Sequence, residues 1–278
     1  LIATLRKTNV SEKIKEKQKI NVLTIANSKL TSSGIATDGL TYGTVYGTRV
    51  QDEEISLNVP DATKIYGVLE SSNTSDPVFP RILLRSINSA TGKTGDLLVG
   101  EKFIGKNSNA KGIYVSKQDD STINYLALND FTFQNNETVT FEDSSTEATI
   151  SSTTLGSNNI TEEFTYDDGQ RSTIYDYARM VRKPDYNEPS RRLSIVFESA
   201  YFTSSDDGDI TTVSSYDNFE YKDLPTINKS NVSDILDIRP RVSDFSGTSY
   251  SPFEFLGRSF TASGNSAKNI LASDESIL

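Results

Sequence analysis

Residues 55–69 read Ile55-Ser-Leu57-Asn-Val59-Pro60-Asp61-Ala-Thr-Lys-Ile65-Tyr-Gly-Val68-Leu69, and their period decides the fold class. Apolar residues at 55, 57 and 59 alternate strictly with polar ones, the two-residue period of a half-buried strand. Pro60-Asp61 turns the chain, and Ile65 to Leu69 forms the next strand. Strand-like runs recur outward from here. Ile20-Asn-Val22-Leu-Thr-Ile25 is β-rich, Tyr42-Gly-Thr-Val-Tyr46-Gly-Thr-Arg-Val50 mixes aromatic and β-branched residues with glycine, and Leu193-Ser-Ile195-Val-Phe197 with Tyr201-Phe202 is a strong strand. Val10 and Ile14 permit a short helix, but no wide apolar stripe supports it. The expected class is all-β with little helix: a sandwich-like host domain carrying an inserted small β-barrel or sandwich.

Composition narrows the chemistry. The 278 residues hold no histidine, cysteine or tryptophan. That removes disulfides, thiolate nucleophiles, Ser-His-Asp catalysis and His-based metal cages together. Carboxylate and lysine chemistry remain, with oxygen-bound calcium or magnesium. A net charge of −10 repels phosphate backbones, so nucleic acid is not an expected partner. No apolar run approaches the ~20 residues of a membrane span. Leu1 opens the sequence without an apolar leader, and Ile270 to Leu278 stops in mid-pattern, so both ends read as cut from a longer chain.

Five segments are expected. Residues 1–19 are a locally basic arm or packed terminal strand (Arg6, Lys7, Lys13, Lys15, Lys17 and Lys19 against Glu12 and Glu16). Residues 20–79 begin the host domain, 80–158 form the inserted module, 159–250 resume the host, and 251–278 connect onward. Within the insert, Leu97, Glu101, Phe103, Ser108 and Gly112 recur at an offset of 36 as Phe133, Glu137, Val139, Ser144 and Ala148. Two hairpin-like units sharing a Glu at a turn would explain this, and so would chance similarity between hairpins.

Each candidate site has a plainer counterpart. Gly92-Lys-Thr-Gly95 and Gly100-Glu-Lys-Phe-Ile-Gly105 contain the letters of phosphate loops but lack the spacing into Gly-Lys-Ser/Thr and a helix, so they read as turns. Ser205-Asp-Asp-Gly-Asp209 and Tyr166-Asp-Asp-Gly169 could gather calcium, yet neither has EF-hand spacing, and tight turns account for both. The densest feature runs Asp168-Gly-Gln-Arg171 … Tyr175-Asp-Tyr177-Ala-Arg179-Met-Val-Arg182-Lys-Pro184 … Arg191-Arg-Leu. Arginine forks onto carboxylates and stacks on tyrosine. Arg171, Tyr175, Tyr177, Arg179, Arg182, Arg191 and Arg192, with Arg239 and Arg241 further on, are therefore candidates for an internal scaffold or a subunit interface. No catalytic, cofactor-binding or metal-binding residue is assigned.

That run resembles large virion proteins of T4-like myoviruses, especially those of marine cyanobacteria, which carry a domain of unknown function of the DUF4815 type. Three further segments are similar: Arg49-Val-Gln-Asp-Glu-Glu-Ile-Ser-Leu-Asn-Val-Pro60 with Gly67-Val-Leu-Glu-Ser71; Asp234-Ile-Leu-Asp-Ile-Arg239-Pro-Arg241; and Phe255-Leu-Gly-Arg-Ser-Phe260 with Asn269-Ile-Leu-Ala-Ser. The likeness covers most of the chain from about residue 40, and the Gly-Glu turn repeat also looks like modules common in such proteins. The resemblance implies a non-enzymatic tail, baseplate or fibre-associated component. Such a component is made in the host cytoplasm, carried in the virion, and assembles with other tail proteins as a homo-oligomer without cofactor, nucleic acid or membrane insertion. Two alternatives stay open: a receptor- or glycan-binding tail module, and a depolymerase using paired carboxylates.

Overall fold

The computed structural model describes residues 8–25, 30–31, 34–35, 49–172, 176–202, 210–235, 245–246, 249–255 and 258–261. Of the strand-like run over 42–50, residues 42–48 lie outside them, as do the side chains of the expected anchors Phe253, Phe255, Leu256 and Phe260; residues 49 and 50 are not in a strand. Strand makes up 45% of the structure, and among the described residues no helix reaches seven residues, so the fold is all-β.

In chain order the strands are β1 (Lys15–Ile25), β2 (Leu30–Thr31), β3 (Gly34–Ile35), β4 (Glu54–Ser56), β5 (Ala62–Glu70), β6 (Arg81–Asn88), β7 (Lys102–Gly105), β8 (Lys111–Lys117), β9 (Thr122–Ala127), β10 (Thr138–Phe141), β11 (Glu147–Thr154), β12 (Asn158–Asn159), β13 (Phe164–Asp167), β14 (Arg179–Arg182), β15 (Leu193–Phe202), β16 (Thr226–Ile227), β17 (Ser230–Asn231), β18 (Phe245–Ser246), β19 (Ser249–Phe255) and β20 (Arg258–Thr261). A four-stranded sheet runs β1-β15-β5-β12, a three-stranded sheet runs β13-β14-β4, and six strands close into a barrel in the order β10-β11-β6-β9-β8-β7.

The two open sheets face each other over one core. Ile25, Val68, Leu193, Ile195 and Phe197 come from the larger sheet, and Ile55, Phe164 and Met180 from the smaller, with Leu57 beside them; all are buried. Alternation sends the next residues of the same strands to the opposite face. There Val196 and Leu69 meet Ile113, Val115 and Leu126 from the outer wall of the barrel. Gly67 brings β5 close to that wall: a Cβ there would lie 3.3 Å from Leu126 Cδ1. Each such aliphatic side chain withdrawn from water contributes roughly 1.5–3 kcal/mol, so the barrel is fastened to the sheet by an apolar seam.

The barrel strands lie between β5 and β12 in the chain. The first and last of them meet: Thr154 on β11 pairs with Arg81 on β6, and the chain then returns to the larger sheet, where Asn159 pairs with Leu69. The inserted module therefore starts and ends at neighbouring points.

Inside the barrel the 36-residue repeat is a two-fold pseudosymmetry. β7 and β10 pair about Ile104↔Thr140, with Phe103 opposite Phe141 and Gly105 opposite Val139; a rotation about that pair exchanges the halves. Backbone bonds repeat with it. Tyr114 N–H donates to Glu101 O and Ile150 N–H to Glu137 O, both at 2.9 Å, and Gly100 N–H donates to Tyr114 O and Asn136 N–H to Ile150 O, both at 2.8 Å. Gly100 and Asn136 occupy the same left-handed turn position (φ 82° and 66°), as do Asn109 and Ser145 (56° and 53°). The repeat ends at the third strand. β9 flanks β8 in one half, but the matching place beside β11 is filled by β6, from before the repeat.

The two buried glutamates do the same work. Glu101 accepts the N–H of Leu98 in its own half (2.7 Å) and of Ser144 in the other half (2.9 Å). Glu137 accepts Gln134 N–H (2.6 Å) in its own half and Ser108 N–H (3.0 Å) across the axis. It also takes Asn107 N–H and the Ser108 hydroxyl. Each buried carboxylate is thus satisfied by turn amides from both halves. The expected shared Glu at a turn is the correct reading of the repeat, and chance is not.

The halves differ where the core is tightest. At Gly112 a Cβ would lie 2.5 Å from Phe103 Cζ; the equivalent positions are Ala148 and Val139, a larger residue facing a smaller one. Gly112→Ala should destabilise the chain by about 1–3 kcal/mol. Combined with Phe103→Val, which clears the collision, it should cost less than the sum of the two single changes, by a coupling of about 0.5–3 kcal/mol measured in urea denaturation.

A second expectation concerns acid. Burial pushes the Glu137 carboxyl up, but the amides of Gln134, Ser108 and Asn107 and the Ser108 hydroxyl outweigh it and hold the group below its ordinary 4.5. A carboxyl depressed in the folded state contributes stability above its unfolded pKa and loses it as pH falls through the folded value. Glu137→Gln should therefore be less stable than the parent by about 1–3 kcal/mol near neutral pH. That gap should narrow as pH is lowered below 4.5, followed by denaturation across a pH series.

Candidate functional site

The aromatic and basic stretch from 166 to 192 is built on β13, β14 and the turn between them. β13 pairs with β14 from Phe164↔Arg182 to Asp167↔Arg179, and β14 pairs on with β4. The turn hinges on Gly169 at φ +73°, where a Cβ would lie 2.4 Å from Asp176 O. Asp167 accepts Gly169 N–H at 3.0 Å and holds Arg171 through two bonds of 3.0 and 2.6 Å. Hydrogen bonding from Arg171 is the main reason the Asp167 carboxyl sits below its ordinary range. Asp168 goes the other way, pushed up by burial. Asp167-Asp168-Gly169 is thus a hydrogen-bonded turn, as the plainer reading has it.

The candidate residues fall into two groups. Arg171 and Arg179 lie together: Arg179 donates to Glu54 at 2.7 Å and to Asp176, fastening β14 to β4 and to the turn. Tyr177 between them is fully buried, the largest side chain so enclosed among the described residues. Tyr166 donates to Ala62 O at 2.5 Å, and burial, with Asp168, Asp61 and Asp167 nearby, pushes its hydroxyl far up. Arg182 reaches Gln51 O at 3.4 Å. Arg191 and Arg192 belong to a second place, at the start of β15. Arg192 donates to Asp76 at 2.8 Å, and Glu70 accepts Ser190 N–H and Arg191 N–H at 2.9 and 3.2 Å. Tyr175, Arg239, Arg241 and the 205–209 acidic turn lie outside the described residues.

A second polar site escaped the sequence reading. Beside the barrel, the outer face of the larger sheet carries charged residues under the 211–235 segment. Glu198 on β15 accepts Thr63 Oγ1 at 2.9 Å and Tyr66 Oη at 3.1 Å, and pairs with Lys17 at 3.2 Å. Burial and Glu198 together push the Tyr66 hydroxyl well up. Next to this, Lys15 Nζ lies 2.8 Å from Asp61 Oδ2, both side chains at most 2% exposed, and donates to the Tyr216 hydroxyl. Thr212 and Ser215 cap the short 3₁₀ turn Val213–Tyr216 that holds the ring there. Lys15 falls in the segment expected to be a basic arm or packed terminal strand, and β1 begins with it. No sequence signal pairs 15 and 17 with carboxylates at 61 and 198.

An acid-lined cavity of 270 Å³ lies among Glu70, Glu163, Asp185, Tyr186, Glu188 and Ser190. Among the described residues no group of three or more Asp or Glu side chains is placed to hold a metal ion, and no helix is long and apolar enough to cross a membrane. Gly92–Gly95 and Gly100–Gly105 form a surface turn with a 3₁₀ piece and strand β7, without a following helix.

Arg179→Ala should cost about 1 kcal/mol, since its two ion pairs are partly exposed. Gly169→Ala should cost more, about 2 kcal/mol or above, because it meets backbone at a left-handed position. Thermal unfolding of the two variants gives the order. No family model, curated protein or solved structure matches the chain.

Proposed function

We propose that this chain is a structural component of a bacteriophage virion, working at the tail, baseplate or fibre attachment by protein–protein assembly. The sequence likeness to tail-associated proteins of T4-like myoviruses motivates the reading. The observation that supports it most is mechanical. The barrel is joined to the sandwich by two chain crossings at adjacent points and by the Val196, Leu69, Ile113, Val115 and Leu126 seam. A two-body β unit fixed in this way holds its outward surfaces at a constant separation, which suits a joint between larger parts. Arg171, Arg179, Arg182 and Arg192 bond to groups of their own chain, which favours the scaffold role for this cluster. The partners would then be neighbouring tail proteins and further copies of the chain, engaged through other surfaces.

The test is to raise antibodies to the chain and label purified particles of the phage that encodes it, viewed by electron microscopy. Label at a fixed position on the tail or baseplate is expected. Particles that lack the chain, while infected cells contain it, would overturn the proposal.

A further inference from the structure

Lys15 and Asp61 sit at opposite sides of the central strand. Lys15 pairs across β1–β15 with Phe202, and Asp61 O accepts Ala200 N–H from the other edge of β15. Their side chains meet over β15, Nζ to Oδ2 2.8 Å, with relative exposures of 0% and 2%. The Tyr216 hydroxyl takes a hydrogen bond from Nζ, and its ring centroid lies 4.1 Å from it. An amine and a carboxyl are therefore held in contact, out of water, beside a hydroxyl that can pass a proton.

We propose that Lys15 and Asp61 condense into an intramolecular amide that ties β1 to β5 across β15. In a buried site the neutral amine–acid pair gains on the ion pair, because charge without water is disfavoured. The first proton moves from the Lys15 ammonium to the Asp61 carboxylate. The Nζ lone pair then attacks Asp61 Cγ and forms the C–N bond. A second proton passes from Nζ to the leaving oxygen, which Nζ already contacts at 2.8 Å, and the C–O bond breaks with its electrons on oxygen. One water leaves, and no oxidant, cofactor or further reactant is needed. Contact distance replaces a bimolecular encounter, and a closed site protects the amide from hydrolysis.

Lys17, two residues along the same face, is an internal control. It is 20% exposed, and its partner Glu198 already accepts bonds from Thr63 and Tyr66. Lys17 is open to water where Lys15 is closed off from it, so this pair stays uncondensed.

The intact mass of the purified 278-residue chain, measured after denaturation, decides the matter. The expected result is the sequence mass less one water, with a branched peptide joining Lys15 to Asp61 in the digest and Lys17 unmodified. Lys15→Arg and Asp61→Ala should each restore the full mass of their own sequence. If either variant fails to fold, the parent protein alone still gives the answer. A folded parent at full mass overturns the proposal. So does a water loss that maps to an Asp-Gly succinimide, with an unmodified Lys15 peptide in the digest.

Discussion

Strand β15 must be covered on both faces, and the architecture follows from that requirement. From Leu193 to Ala200 every residue is buried. A strand in that position cannot belong to a sheet with one wet side. Leu193, Ile195 and Phe197 are satisfied by the small β13-β14-β4 sheet, which makes the sandwich. Val196 is satisfied by the barrel, which explains why the insertion docks on the sheet and does not project from it. Glu198 is polar and faces the same way, so the cover there is polar too: Thr63, Tyr66 and Lys17. One strand thus recruits three different neighbours by the alternation of its side chains.

The barrel meets its own requirement by repetition. A small closed sheet has tight turns at its ends, and their amides need acceptors. The buried Glu101 and Glu137 supply them in both directions, each serving its own turn and the opposite one. The Ser144–Glu101 and Ser108–Glu137 bonds need both halves, so the halves are interdependent although their sequences differ. The drift is compensated locally: Phe103 needs Gly112, while Val139 tolerates Ala148.

Much of the fold was legible. The β-rich runs at 20–25, 65–69 and 193–202 fall in β1, β5 and β15, and the 36-residue offset with its paired glutamates marked the pseudo-two-fold of the barrel. What could not be read was pairing at long range. Nothing local says that β6, preceding the repeat, fills the third-strand place of its second half. A lysine in a basic segment reads as solvated, because charge runs usually are; the buried partner of Lys15 lies at position 61 and the ring beside it at 216. The arginine cluster was recognisable as a cluster, but its carboxylates came from Glu54 on another strand as well as from Asp167 and Asp176 nearby. Ile210 makes a single parallel bridge to Glu12, and the chain then coils into a capped 3₁₀ turn, since Thr212 and Ser215 satisfy each other's amides.

The pairing of Arg81 with Thr154 has a consequence for how such a chain could diversify. An insert whose ends are hydrogen-bonded neighbours imposes no stretch on its host, so the sandwich keeps its register whatever is spliced between β5 and β12. Only the seam residues on the barrel's outer wall need to be kept. The barrel is in that sense a cartridge: its far surface is open to change under selection at little cost to the frame that carries it.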